Sequence, residues 1–304
     1  MNAKYIVSDC DRRLLEHNGF DSFESLWNVR LEWFEEPNYR RGGWSGVSRH
    51  VLKGPDGSDV VVFIKRQQNH NFRSCLHPVR GLPTLYREYR NLCKLKTYGI
   101  PCADLVLYGH QNIGGQWQAI LITRSLSGYR PLETCLDSIR RDDVAARRAL
   151  LASVAQVISR IHGHHLRHGS LYAKHILVRV RTPRIPLHDK AYEFHSVVVD
   201  LERMRIRFPL FQLALDDLAQ FYRRWRHRDG DWEAFVGSYL ACIERKGLAR
   251  GIESAVIRKC ATNWTMPGQS DSPASRSRQL IRSTLHTALG RSRGDDGTYV
   301  TRDP

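Results

Sequence analysis

Arg167-His-Gly-Ser-Leu-Tyr-Ala-Lys-His-Ile-Leu-Val178 and Val197-Val-Val-Asp-Leu-Glu202 are the two stretches that decide how this chain is built. The first follows a segment in which Leu150, Leu151, Val154, Val157, Ile158 and Ile161 keep a helical period, opened by Asp142-Asp143 and closed by Gly163. It therefore reads as a polar loop leaving a long amphipathic helix, with Ile176 to Val180 as the strand beyond. The second stretch is an apolar strand ended by a carboxylate. Burial disfavours such a charge unless a cation or hydrogen-bond donors meet it, so Asp200 needs a partner. A cap on the helix that follows is the plain alternative.

Working outward, Asp217 falls in Leu215-Asp-Asp-Leu-Ala-Gln-Phe221, inside a helix expected over 210–228, with further helices over 231–246 and 252–264. Upstream, Arg41-Gly-Gly-Trp-Ser-Gly-Val47 is a glycine-rich turn running into a strand. Lys53-Gly-Pro-Asp-Gly57 then turns the chain into the β-branched run Val60 to Ile64, which ends in Lys65. Pro83 and Thr84 start a helix with Leu85, Tyr89, Leu92 and Leu95 on one face, stopped by Gly99-Ile-Pro101; strands Val106 to Gly109 and Trp117 to Thr123 follow, joined at Gly114-Gly115. Residues 1–36 mix acidic, aromatic and apolar positions without a clean strand period and suit a short helical or irregular cap.

Each feature has a chemical and a plain reading. Gly42, Gly43 and Gly46, with Ser45 between them, let backbone N–H groups approach a polyphosphate, or simply make a hairpin turn. Lys65 and Glu88 suit a phosphate-holding ammonium and its anchor, or a solvated lysine and a helix acid paired with Arg90 or a neighbouring Lys. In the phosphotransferase pattern His-Arg-Asp-x-x-x-x-Asn, the Asp orients the acceptor hydroxyl and the Asn binds a metal. Ser170 and His175 occupy those places here. Neutral histidine binds divalent cations, although Mg²⁺ prefers oxygen.

Taken in order, these residues resemble the lipopolysaccharide kinase family, the Kdo/heptose kinases and their InaA-like relatives, from about Gly42 to Trp225. His168 to Leu177 carries the resemblance most specifically: the family shows His-x-Asp-x-Tyr-x-x-His, which Tyr172 and His175 match and Ser170 does not. The resemblance implies an α+β, bilobal protein-kinase-like fold with a small antiparallel β-rich N-lobe and a mainly helical C-lobe. The expected division is a cap over 1–39, an N-lobe over 40–123, a C-lobe over 124–268 and a partly disordered tail over 269–304 with a short helix near 279–289. It further implies an ATP- and Mg²⁺-dependent phosphotransferase. Gly42, Gly43, Ser45, Gly46, Lys65 and Glu88 would hold nucleotide, His175 and Asp200 the metal, and Ser170, His168 and Asp200 the reacting groups. Asp217 matches the aspartate with which kinases brace the catalytic loop, or is an ordinary helix acid. The implied acceptor is anionic, of lipopolysaccharide-core type. Ser170 keeps open a second reading, a nucleotide-binding regulatory module that transfers little or no phosphate.

Composition fits this picture. The 304 residues are 41% hydrophobic, and 47 basic against 31 acidic residues give a net charge of +16, which favours an anionic partner. Arg181 to His195 and the arginines from Arg276 to Arg293 are the expected contributors to contact with an anionic membrane or a phosphorylated acceptor, or are simply solvated basic loops that aid solubility. Nucleic acid rests on charge alone and lacks a supporting motif. The seven cysteines form no Cys-x-x-Cys pair, which argues against a disulfide framework or zinc site. With no leader-like apolar start and no run of about 18 apolar residues, a cytoplasmic, at most peripheral, protein is expected.

Overall fold

A computed structural model describes residues 4–40, 42–74, 77–181, 192–225, 230–243, 255, 291–293 and 299–301. The chain divides into two compact units, residues 1–128 with 199–204, and residues 129–198 with 205–304.

The first unit contains β1 (Lys4–Val7), α1 (Asp9–His17), α2 (Phe23–Asn28), β2 (Glu35–Arg40), β3 (Gly43–Lys53), β4 (Asp59–Gln68), β5 (Asn71–Ser74), β6 (His77–Pro83), α3 (Thr84–Thr97), β7 (Leu105–Ile113) and β8 (Gln116–Arg124). Six strands form an antiparallel sheet in the order β1-β7-β8-β4-β3-β2. Strand alternation sorts β4 into two faces. Val62 and Ile64 enter a core with Leu14, Leu15, Phe20, Phe23 and Leu26 of the α1–α2 region. Arg66, on that same face, donates to the carbonyls of Trp27 and Val29. Lys65 and Gln67 are left on the opposite face, toward α3.

The strands expected around Lys65, the helix start at Thr84 and the Gly114-Gly115 turn are all present. Neither β1 nor β2, which straddles the end of the segment 1–36, shows a strand period of its own. β1 is only four residues long and is held as an edge strand by β7, and β2 carries Pro37 and a register irregularity against β3.

The second unit contains β9 (Arg130–Pro131), α4 (Leu132–Ser138), α5 (Val144–Gly163), β10 (Leu166–Arg167), β11 (Ile176–Arg181), β12 (Glu193–Val198), β13 (Arg205–Ile206), α6 (Leu210–Arg223) and α7 (Asp231–Cys242). A short hairpin, β14 (Arg291–Arg293) with β15 (Tyr299–Thr301), lies near the end of the chain. Asp143 caps α5 by accepting the Ala146 N–H at 3.0 Å, as its sequence position predicts. Buried Arg147 ties α5 to α7 through Asp231, with Nε 2.9 Å from Oδ1, and donates to the carbonyls of Leu136 and Ile139. The ladder β12-β11-β9 carries the strand that leaves the polar loop, and the two-residue ribbon β10-β13 flanks its entry. Helices α6 and α7 end earlier than their apolar patterns suggested. Arg41, most of the basic excursion (182–191), the helix expected over 252–264 apart from Ala255, and the one over 279–289 lie outside the described residues.

Candidate functional site

In the first unit, β3 pairs with β4 so that Val47 lies opposite Lys65, and β8 places Leu121 on its other side. Lys65 Nζ lies 2.6 Å from Glu88 Oε1, and the glutamate side chain is only 7% exposed. Arg90, the alternative partner, turns instead to the Tyr86 hydroxyl. Burial alone would push the Lys65 ammonium down; Glu88, then Asp200 and Glu202, outweigh it and raise its pKa above the ordinary lysine value.

Position along α3 is fixed at its start by a buried polar knot. Pro83 offers α3 no side-chain cap. Gln67 supplies one from β4: its Oε1 accepts from the Leu85 N–H at 3.1 Å and the Thr84 hydroxyl at 2.8 Å, while its Nε2 donates to the His70 carbonyl. Because the Thr84 proton goes to Gln67, the His70 Nδ1 contact at 2.9 Å must run from ring N–H to hydroxyl oxygen. Farther along α3, Asn91 donates to the carbonyls of Leu201 and Met204 at 2.8 and 2.9 Å, and Arg87 to that of Glu202. The segment behind Asp200 is thereby latched to the helix that carries Glu88.

Asp200 itself is in the left-handed region at φ 62°, a conformation Asp tolerates better than most residues. It precedes a 3-10 turn, Leu201–Arg203, yet its side chain makes no capping hydrogen bond there. The plain capping explanation of this residue therefore fails.

The glycine-rich segment has mixed causes. Gly42 takes φ 77° in the β2–β3 turn, which favours glycine. A Cβ at Gly43 would stand 2.0 Å from the Gln68 carbonyl oxygen, and one at Gly46 would strike the Trp33 ring at 2.6 Å. Packing inside this unit thus accounts for the last two glycines. Ser45 lies in β3 between Asn38 and Gln67 of the neighbouring strands.

The polar loop of the second unit is held from beneath. Asp217, on α6 and fully buried, accepts the N–H of His168 at 2.5 Å and that of Gly169 at 2.9 Å. His162 Nε2 stands 3.4 Å from the same carboxylate, and its Nδ1 meets the Tyr239 hydroxyl at 2.7 Å. Burial pushes the Asp217 pKa up, but the His162 contact, His168 and the Gly169 N–H bring it below the ordinary value. Asp217 thus has the bracing geometry expected from its place in the sequence.

Within the loop, Ser170 is 3% exposed and makes its hydrogen bonds through its backbone: its N–H donates to His168 Nδ1 at 3.3 Å and its carbonyl accepts from His175 Nδ1 at 2.8 Å. A carbonyl can only accept, so His175 carries a proton on Nδ1, and in the neutral ring the nitrogen able to accept is then Nε2, one of the two through which histidine binds metals. His168, accepting through Nδ1, has the opposite tautomer and is buried. Tyr172 accepts from Gln220 at 2.6 Å and packs under Arg224, which anchors the loop to α6.

Lys65, Glu88 and Asp200 come together in the first unit, and His168, Ser170, His175 and Asp217 in the second. His162, Tyr239, Gln67, Asn91 and the bond that Thr84 makes to Gln67 were not anticipated from the sequence. Two left a trace: Asn91 interrupts the apolar face of α3, and His162 that of α5. Among the described residues no group of three or more His, Cys, Asp or Glu is arranged to hold a metal. For Mg²⁺ this is no obstacle, since it commonly takes one or two carboxylates and completes its shell with water and substrate phosphates.

A strand lysine paired with a helix glutamate, followed by a helical unit whose polar loop hangs from a buried aspartate, defines a protein-kinase-like fold. The profile of the Lipopolysaccharide kinase (Kdo/WaaP) family matches residues 24–239, and the chain belongs to that family. It is 30% identical over 225 residues to Protein InaA of Escherichia coli, covering 73% of this chain and 97% of that protein. It is 27% identical over 231 residues to the lipopolysaccharide core heptose(I) kinase WaaP of Escherichia coli, covering 74% and 76% of the two chains. The solved structure of WaaP in complex with acyl carrier protein superposes with a TM-score of 0.55 at 20% identity, covering 84% of this chain and 99% of that one.

Proposed function

We propose that this protein is an ATP- and Mg²⁺-dependent kinase that phosphorylates a hydroxyl group of an anionic, lipopolysaccharide-core-type acceptor. The observation that carries the reading is the Lys65–Glu88 ion pair at 2.6 Å, set beside the Asp200 charge. Lys65 would hold nucleotide phosphates and Glu88 keeps its ammonium aimed. Asp200 and His175 would hold the metal, which neutralises phosphate charge when bound. The loop from His168 to His175, suspended from Asp217, would align the acceptor. Phosphoryl transfer passes through a loose transition state, so fixed positioning and charge neutralisation carry most of its acceleration.

Ser170 favours a second reading, a nucleotide-binding module with weak or absent transfer. A serine hydroxyl is a poor base at neutral pH, and loss of a positioned base costs about 10²- to 10⁴-fold. Turnover with labelled ATP and purified lipopolysaccharide core, with and without Mg²⁺, separates the two. Transfer that disappears in Lys65→Ala and Asp200→Ala supports the kinase. Mg-ATP binding without transfer to any core acceptor supports the module. Residence at the cytoplasmic face of the inner membrane belongs to the same proposal; among the described residues no helix is long and apolar enough to cross a membrane.

A further inference from the structure

The residues from Arg205 to Pro209 form an exposed strip in which basic and apolar side chains alternate, Arg-Ile-Arg-Phe. Ile206 is 52% and Phe208 69% exposed. The strip is not a loose loop. β13 pairs with β10 at Leu166–Ile206 and Arg167–Arg205, and the Arg207 N–H extends the ladder by donating to the His165 carbonyl at 3.0 Å. The Phe208 ring lies 4.4 Å from that of His165. β10 leads directly into His168, so the strip is fastened to the strand that delivers the Ser170 loop.

Its charge is concentrated. Arg167 is paired with Asp216 and Asp217 at 3.5 and 3.6 Å, whereas Arg205 and Arg207 form no ion pair among the described residues. Partial burial, then the neighbouring Arg207 and Arg167, lower the pKa of Arg205 and outweigh an opposing pull from Asp216. A fold that keeps like charges and two large apolar side chains together on its surface is stabilised by a ligand with both anionic and apolar parts. Guanidinium groups suit phosphate because they donate in a planar fork. Stable attachment to an anionic bilayer generally draws on a cluster of about four to eight basic residues, more than this strip supplies, which favours a single headgroup.

We propose that Arg205 and Arg207 bind phosphate groups of an amphiphilic glycolipid acceptor while Ile206 and Phe208 contact its apolar part. This assignment rests on the kinase reading above and names the docking element for its acceptor.

The test uses the full-length protein with two probes: rough lipopolysaccharide dispersed in neutral detergent micelles, and vesicles of phosphatidylglycerol against phosphatidylcholine. Arg205→Ala/Arg207→Ala should weaken lipopolysaccharide binding by at least about tenfold, from the loss of charge-assisted hydrogen bonds. The double lysine variant should recover only part of it, because it keeps the charge and loses the fork. Ile206→Ser/Phe208→Ser should also weaken binding. All variants should keep the wild-type melting temperature and Mg-ATP melting shift, which verifies folding. Wild-type lipopolysaccharide binding in the double alanine variant overturns the proposal, as does a wild-type protein that does not bind lipopolysaccharide. An equal loss on phosphatidylglycerol vesicles overturns it in favour of general membrane attraction. If the strip variants lose lipopolysaccharide while the wild type shows no Mg-ATP shift, the kinase reading fails and the glycolipid site stands.

Discussion

His162 and Asp217 face each other at 3.4 Å where water is excluded, their side chains 1% and 0% exposed. The carboxylate also accepts the two N–H groups that open the polar loop. Asp217→Asn replaces one acceptor oxygen with an NH₂ donor pointed at a backbone donor, and should cost about 3 kcal/mol or more in urea unfolding. The pH sign follows from the lowered pKa. The wild-type carboxylate contributes stability that is present above the unfolded aspartate pKa of about 4 and is lost as pH falls through the folded value. The unfolding midpoint of wild type should drop below that pH more steeply than that of Asp217→Asn.

Lys65→Ala leaves the Glu88 carboxylate without its ammonium and should destabilise by about 3 kcal/mol; Lys65→Met/Glu88→Leu, which removes both charges, should recover much of the loss. Denaturant midpoints of wild type, Lys65→Met, Glu88→Leu and the double variant close a double-mutant cycle and give the coupling. The raised Lys65 pKa means that its contribution is complete below the unfolded lysine value of about 10.4 and is lost only as pH rises through the folded value. Neutral pH therefore lies well inside the stable window.

Asn91→Ala frees two buried carbonyls, those of Leu201 and Met204, and should cost about 1 to 3 kcal/mol. Because those carbonyls belong to the turn behind Asp200, the variant should also show a smaller Mg²⁺-dependent melting shift with ATP. Asn91→Asp, which cannot donate when ionised and sets a carboxylate against two carbonyl oxygens, should cost more than the alanine variant.

Ser170→Ala should leave the unfolding free energy within about 0.5 kcal/mol of wild type, since the hydrogen bonds that shape the loop at this position use its backbone. Ser170→Asp places a larger, charged group in a site only 3% exposed and should destabilise by about 1 to 3 kcal/mol. If a missing base is the only defect in transfer, Ser170→Asp should raise turnover despite that loss. Thermal melts and labelled-ATP turnover on the same preparations separate the two effects.

The parts legible in the sequence are those with local periodicity or a fixed chemical spacing. The helix from Thr84, the strand carrying Lys65, which runs on to Gln68 rather than ending there, and the Asp143 cap each follow from a few adjacent residues. The Lys65–Glu88 pair could be anticipated because a strand and a helix face were both clear. What stayed hidden depends on partners distant in the chain. Gln67 caps α3 only because alternation along β4 turns it to the same face as Lys65, and His162 finds Asp217 and Tyr239 across three helices. β1 had no signal of its own, since its pairing is supplied by β7. Gly43 and Gly46 show the reverse problem: their motif suggested phosphate, while packing against Gln68 and Trp33 suffices to require them.

The moorings of α3 bear on how such a protein can be controlled. To swing the helix away, the Gln67 knot, the Lys65–Glu88 pair and the Asn91 latch would all have to open together. Displacing α3 by that route would leave several buried polar groups unpaired at once, so these contacts hold the helix as one unit.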